Sequence, residues 1–191
     1  MDVYDFDLVS FAALARHIGT DTERVEVKAA ADGVPRGIAE TLSAFSNGSG
    51  GVIVLGLAEA DGFRPVEGFS AKAVADGLGQ CCNEKMEPPV RASIDIVEFE
   101  GAPVVVAVVP ELPPHLKPCY VKARSRYEGS YLRMGDGDRR LSPYEVDRIL
   151  EGRHEPRYDR QVVPEATMDE LDGELVEGFV RKQRAESPRA F

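Results

Sequence analysis

The stretch Ala44-Phe45-Ser46-Asn47-Gly48-Ser49-Gly50-Gly51-Val52-Ile53-Val54-Leu55-Gly56-Leu57 decides the fold. A helix-like run ends in it at an Asn/Gly/Ser turn, and an almost wholly apolar strand leaves from that turn. Leu42, Ala44, Phe45 and Val52 to Leu55 carry too much apolar surface for any place but a core. Gly48, Gly50 and Gly51 permit positive φ values or a close approach by another group. A helix C-cap leading into a central strand accounts for the pattern. A nucleotide-binding turn at Asn47 to Gly51 is the other reading, but no Walker lysine follows the glycines and a helix C-terminus disfavours phosphate.

Toward the amino terminus, apolar residues from Phe6 to Ile18 fall at helical spacing and Gly19 ends the run. Asp21 to Lys28 then alternates as a strand, with Val25 and Val27 on one face and Arg24, Glu26 and Lys28 on the other. Ala29 to Arg36 reads as a loop, and Gly37 to Ser46 as the helix entering the opening stretch.

Toward the carboxyl terminus, Ala71 to Met86 has helical composition and Pro88-Pro89 stops it. Val90 to Glu100 and Pro103 to Val109 form a hairpin about Glu100-Gly101, whose Val-rich second strand belongs at the centre of a sheet. Pro110 to Pro118 is a rigid crossing, and Cys119 to Ala123 and Ser130 to Met134 are two short strands. Ser142 caps a helix that starts at Pro143 and has Tyr144, Val146, Ile149 and Leu150 as its apolar stripe. The expected organisation is a domain over residues 1–152, a polar linker over 153–166, and a helix and tail over 167–191. Thr167 and Glu170 form the capping box of that last helix.

The chain has 191 residues and a formal net charge of -10, which disfavours diffuse attraction to a polyanion or an anionic membrane. Any nucleic-acid site must therefore be local. Lys117, Lys122, Arg124, Arg126, Arg133, Arg139 and Arg140 crowd into one segment against Glu128, Asp136 and Asp138, with Tyr120, Tyr127 and Tyr131 interleaved. Cations that meet phosphates beside rings that stack on bases make a nonspecific single-strand site. A hairpin whose arginines pair with acids elsewhere is an equally good account. Gly135-Asp136-Gly137-Asp138 reads as a turn whose aspartates argue against holding an anion directly.

Asp21, Glu23 and Glu26 at a strand mouth can hold a divalent cation, with Lys28 steadying a phosphate, or they can simply be a solvated charged face. Cys81, Cys82, His115 and Cys119 contain the atoms of a zinc site, but vicinal cysteines fit one poorly and buried free thiols are the simpler reading. Ser46 and Ser49 have no companion histidine in a hydrolase arrangement. Three cysteines, two of them adjacent, suit a reducing compartment. The acidic start Met1 to Asp7 is unlike a secretory signal, and no apolar run approaches a membrane span, so a cytoplasmic location is expected.

Asp21-x4-Glu26-Val27-Lys28, then Ile38 to Asn47, then Gly50-Gly51-Val52-Ile53-Val54-Leu55-Gly56-Leu57, resembles the Schlafen-type AlbA-like domain, described in bacteria as DNA-binding. Tyr131-Leu132-Arg133-Met134-Gly135 resembles that family's closing strand, and the likeness runs from about Phe6 to Leu150. The resemblance implies an α+β fold, with a mixed, mainly antiparallel sheet flanked by helices. It also implies nucleic-acid binding, often in bacterial regulators that continue into a winged helix, so this chain is expected to be part of something longer. In animal relatives three carboxylates form a metal-dependent ribonuclease site acting on structured RNA such as transfer RNA. Two of them fall on Asp21 and Glu26, and the third falls where this chain has Ala58-Glu59.

Ala58 at one usual acidic position and the short Asp21 favour a noncatalytic module. The expectation is therefore DNA or RNA binding through Lys122, Arg124, Arg126, Tyr127, Arg133, Arg139 and Arg140, with no membrane partner and a homodimer left open. The alternatives are an endoribonuclease using magnesium or manganese on Asp21, Glu26 and Glu59 with Lys28, and a protein-interaction or nucleotide-binding module.

Overall fold

The computed structural model describes residues 3–20, 22–153 and 172–186. The chain divides into two compact units, residues 1–155 and 156–191. The first unit opens with α1 (Leu8–Ile18), whose Asp7 cap accepts a bond from the Ser10 N–H at 2.9 Å and whose Gly19 takes a left-handed conformation. Then come β1 (Val25–Lys28), α2 (Ile38–Asn47), β2 (Gly51–Leu55) and the short β3 (Leu57–Ala58) and β4 (Arg64–Pro65). Next is α3 (Ala71–Gln80), which runs into a π-helical turn at Cys81–Lys85 before β5 (Met86–Glu87). The hairpin β6 (Ser93–Phe99) and β7 (Ala102–Val109) leads to β8 (Tyr120–Val121), α4 (Arg126–Gly129), β9 (Tyr131–Met134), β10 (Gly137–Arg140) and α5 (Pro143–Glu151). The second unit contributes α6 (Gly173–Glu186). The expected capping box at Thr167 and Glu170 lies outside the described residues, as does Asp21.

The main sheet has the order β1-β2-β7-β6. β1 runs parallel to β2, and the β2–β7 and β7–β6 pairs are antiparallel, so the sheet is mixed and mainly antiparallel. Alternate residues of β2 and β7 serve two cores. Ile53, Leu55, Val105, Ala107 and Val109 pack with α2 and α3, while Val52, Val54, Val104, Val106 and Val108 pack with α1. Because both faces are covered, the two central strands read as continuous apolar runs rather than alternating ones.

The opening turn is built by two glycines with different tasks. Gly50 has φ +74°, and a Cβ there would lie 2.7 Å from the Val109 carbonyl oxygen. A Cβ on Gly51 would lie 2.7 Å from the Phe45 ring, so its absence lets that ring lie against the start of β2. β10 arises where the sequence reads only as a turn. Gly135, at φ +62°, reverses the chain, and β10 pairs with β9 in a hairpin from Gly137↔Met134 to Arg140↔Tyr131. α5 begins with a reciprocal capping box between Ser142 and Glu145, with Pro143 at the first position.

Candidate nucleic-acid interface

β1 alternates as its sequence predicts, but its charged face is solvated only at its ends, Arg24 and Lys28. Glu26 is only 5% exposed, because Arg133 of β9 lies over it. One Glu26 oxygen meets Arg133 Nη1 at 2.7 Å and the other meets Lys28 Nζ at 2.7 Å. Arg133 also reaches Asp138 of β10 at 3.1 Å and the Thr22 carbonyl at 3.4 Å. The Thr41 hydroxyl of α2 donates to the other Asp138 oxygen at 2.6 Å. The Arg133 guanidinium sits 5.5 Å from the centre of the Phe45 ring, which carries the network back to the opening stretch. Burial is the largest single influence on Arg133 and pulls its pKa down, yet Glu26 and Asp138 together outweigh it and leave the group above its ordinary value.

A cavity of about 270 Å³ lies beside this network, lined by Glu26, Lys28, Glu40, Asp136 and Asp138 among others. Glu59 is exposed in the 3-10 turn Glu59–Asp61 that follows β3. Among the described residues, no group of three or more His, Cys, Asp or Glu side chains is gathered closely enough to hold a metal ion. Both oxygens of Glu26 already face cations, so recruiting this carboxylate to a metal requires loosening two ion pairs. Cys81, Cys82 and Cys119 are free and buried in the α2–α3 core, and His115 lies exposed in the 3-10 turn Pro114–Leu116. Burial pushes the Cys82 and Cys119 thiols up to about 12, away from the thiolate form that ligates zinc.

The end of α2 is occupied by the protein itself. The Asn47 amide donates to the Cys119 carbonyl and to the Tyr131 carbonyl, both at 2.9 Å, and its oxygen accepts the Cys119 N–H at 2.7 Å. Ser43, one turn earlier, donates to the Cys119 carbonyl at 2.8 Å and accepts the Tyr131 N–H at 2.9 Å. Lys117 Nζ lies 2.7 Å from the Asn47 carbonyl and 2.7 Å from Glu111, which places a cation at the negative end of the helix. Sequence reasoning reads Asn47 as a turn residue and misses its buried role. The available signal was a polar pair, Ser43 and Asn47, spaced one helical turn apart within an apolar run.

The basic segment splits. Arg133, expected at the surface, is 8% exposed and belongs to the interior because two carboxylates hold it there. Arg139 pairs with Glu145 at 2.6 Å and Arg140 pairs with Glu128. The Tyr127 hydroxyl donates to Asp147 at 2.8 Å and its ring remains partly open. Arg124 is held by Glu40 at 3.0 Å and by the Tyr131 hydroxyl. Lys122 and Arg126 are exposed and have no ion-pair partner among the described residues.

Two cations that the sequence does not group with this segment join it in space. β5 pairs with β8 at Met86↔Val121, and the Lys122 N–H donates to the Lys85 carbonyl at 2.7 Å, so the two lysines oppose each other on the next rung. Arg36, just ahead of α2, lines a cavity of about 380 Å³ together with Lys85 and Arg124. Like charges directly opposed across a ladder repel unless an anion lies between them.

No curated protein matches this chain. Its fold is similar to the N-terminal domain of a RecG-related protein from Nitrosomonas europaea, at 26% identity and a TM-score of 0.53, over 74% of this chain and 94% of that one. The DIP2311 protein from Corynebacterium diphtheriae aligns at 16% identity and a TM-score of 0.48, over 87% of this chain and 30% of its own. Residues 21–142, well over half of the sequence, match the family described as Schlafen, AlbA_2, and the chain belongs to that family.

Proposed function

We propose that this domain is a nucleic-acid-binding module of a bacterial transcriptional regulator and acts without cutting its ligand. The observation that carries the reading is the exposed group Arg36, Lys85, Lys122, Arg124 and Arg126, assembled from three separate segments of an acidic protein. Membership of the AlbA_2 family supports it, as does the structural neighbour, whose description relates it to a DNA helicase. The engagement of both Glu26 oxygens by cations supports binding over hydrolysis. Three buried free thiols are compatible with a reducing cytoplasm, and no helix among the described residues is long and apolar enough to cross a membrane.

The test is binding to labelled duplex and single-stranded nucleic acid across a salt series. About four phosphate contacts give a slope of roughly -3 to -4 in log K against log salt. Arg124→Glu combined with Arg126→Glu is expected to abolish binding. Affinity that ignores both salt and the double substitution overturns the proposal.

A further inference from the structure

The cavity of about 380 Å³ behind the exposed cations differs in character from the polar cavity beside Glu26. Its floor is apolar, formed by Val34, Ile38 and Val121, and its rim carries Arg36, Lys85 and Arg124. Gly77 of α3 forms part of one side and lets Val34 pack close against that helix, since a Cβ there would lie 2.8 Å from Val34 Cγ2. The volume falls within the range of roughly 300–1,000 Å³ typical of small-ligand sites. A flat phosphate-binding surface has no use for an apolar floor, and a purely apolar ligand has no use for the rim.

The geometry points to an unpaired nucleotide as the occupant, its base seated on the apolar floor and its phosphates on the rim cations. This inference rests on the nucleic-acid reading above and adds that the module selects single-stranded or extruded nucleotides over intact duplex. Arg124 is prepared for the role. Glu40 at 3.0 Å and the Tyr131 hydroxyl hold its guanidinium, and the Tyr131 ring lies beneath it with the centroid 5.9 Å from Cζ. A held guanidinium plane is a stacking surface for a base. The Glu40 carboxylate at the same mouth is placed to accept a hydrogen bond from an exocyclic amino group of the seated base. The opposed Lys85 and Lys122 beside the cavity place the next phosphate and relieve their mutual repulsion.

Fluorescence anisotropy on the full chain tests this with labelled strands of about 12 nucleotides. Four ligands are compared: single-stranded DNA, single-stranded RNA, duplex DNA, and a DNA strand whose bases are replaced by abasic residues. Either intact single strand is expected to bind at least about tenfold tighter than the duplex, and removing the bases is expected to lose about tenfold with the salt slope unchanged. Val34→Trp, which fills the floor, should reproduce that loss on the intact strand and change nothing on the abasic one. The abasic comparison stands alone if that variant does not fold. Equal affinity for abasic and intact strands, or a preference for duplex, overturns the inference and leaves the nucleic-acid reading in place. Failure to bind any of the four overturns both.

Discussion

Arg133 and Lys122 come from the same basic segment and end in opposite circumstances. Arg133 is almost wholly covered, with Glu26 on one side and Asp138 on the other, and its charge is used to join β1, β9 and β10 over α2. Lys122 stands in solvent facing Lys85, and neither makes an ion pair among the described residues. A count of charges along the sequence gives these two residues the same meaning. The difference teaches that a basic segment is divided by burial: a cation enclosed by carboxylates serves the fold, and one left at the surface is open to a ligand.

Substitution at the buried end should have the largest effect. Arg133→Met leaves Glu26 and Asp138 desolvated without their shared cation and is expected to cost about 3–5 kcal/mol in urea unfolding. A loss below about 1 kcal/mol would mean that water already reaches the pair and that the two regions are alike after all.

The paired but exposed arginine of β10 lies between the extremes and is best approached through pH. Arg139, with the Ser142 cap behind it, holds the Glu145 carboxyl well below its ordinary value, at about 2. A depressed carboxylate gives stability that is present above its unfolded value near 4.5 and is lost as pH falls through about 2. Glu145→Gln should remove that acid-side dependence and leave the profile at neutral pH flat. An unchanged acid limb would show that the pair is not formed in solution.

The smallest effect is expected at the unpaired end, and with the opposite sign. Lys85→Ala removes one of two facing like charges, so stability at low salt should rise by roughly 0.2–0.5 kcal/mol and the gain should fade as salt is added. Destabilisation by this change would point to a carboxylate partner and weaken the contrast with Arg133.

The elements that were legible in the sequence are those whose signal is local. Val52 to Leu55 and Val104 to Val109 are apolar at consecutive positions because both sheet faces are covered, and the capped start of α5 is written in Ser142, Pro143 and Glu145. β10 was hidden because Gly135-Asp136-Gly137-Asp138 carries turn chemistry, while the strand that follows depends on pairing with β9. The burial of Glu26 was hidden for a related reason, since its partner arrives from the far end of the domain. The proposed binding surface was half legible. Lys122, Arg124 and Arg126 stand together in the sequence, but Arg36 and Lys85 join them only through the α2 entrance and the β5–β8 ladder.

The bonds made by Ser43 and Asn47 also set an order of events during synthesis. Asn47 meets Cys119 and Tyr131 across 72 and 84 positions, and Ser43 meets Tyr131 across 88. A growing chain therefore carries α2 with these polar groups unmatched until residue 131 has left the ribosome, long after β2 and β7 are available to collapse on it. The helix that organises the domain is among the first parts made and among the last to be completed.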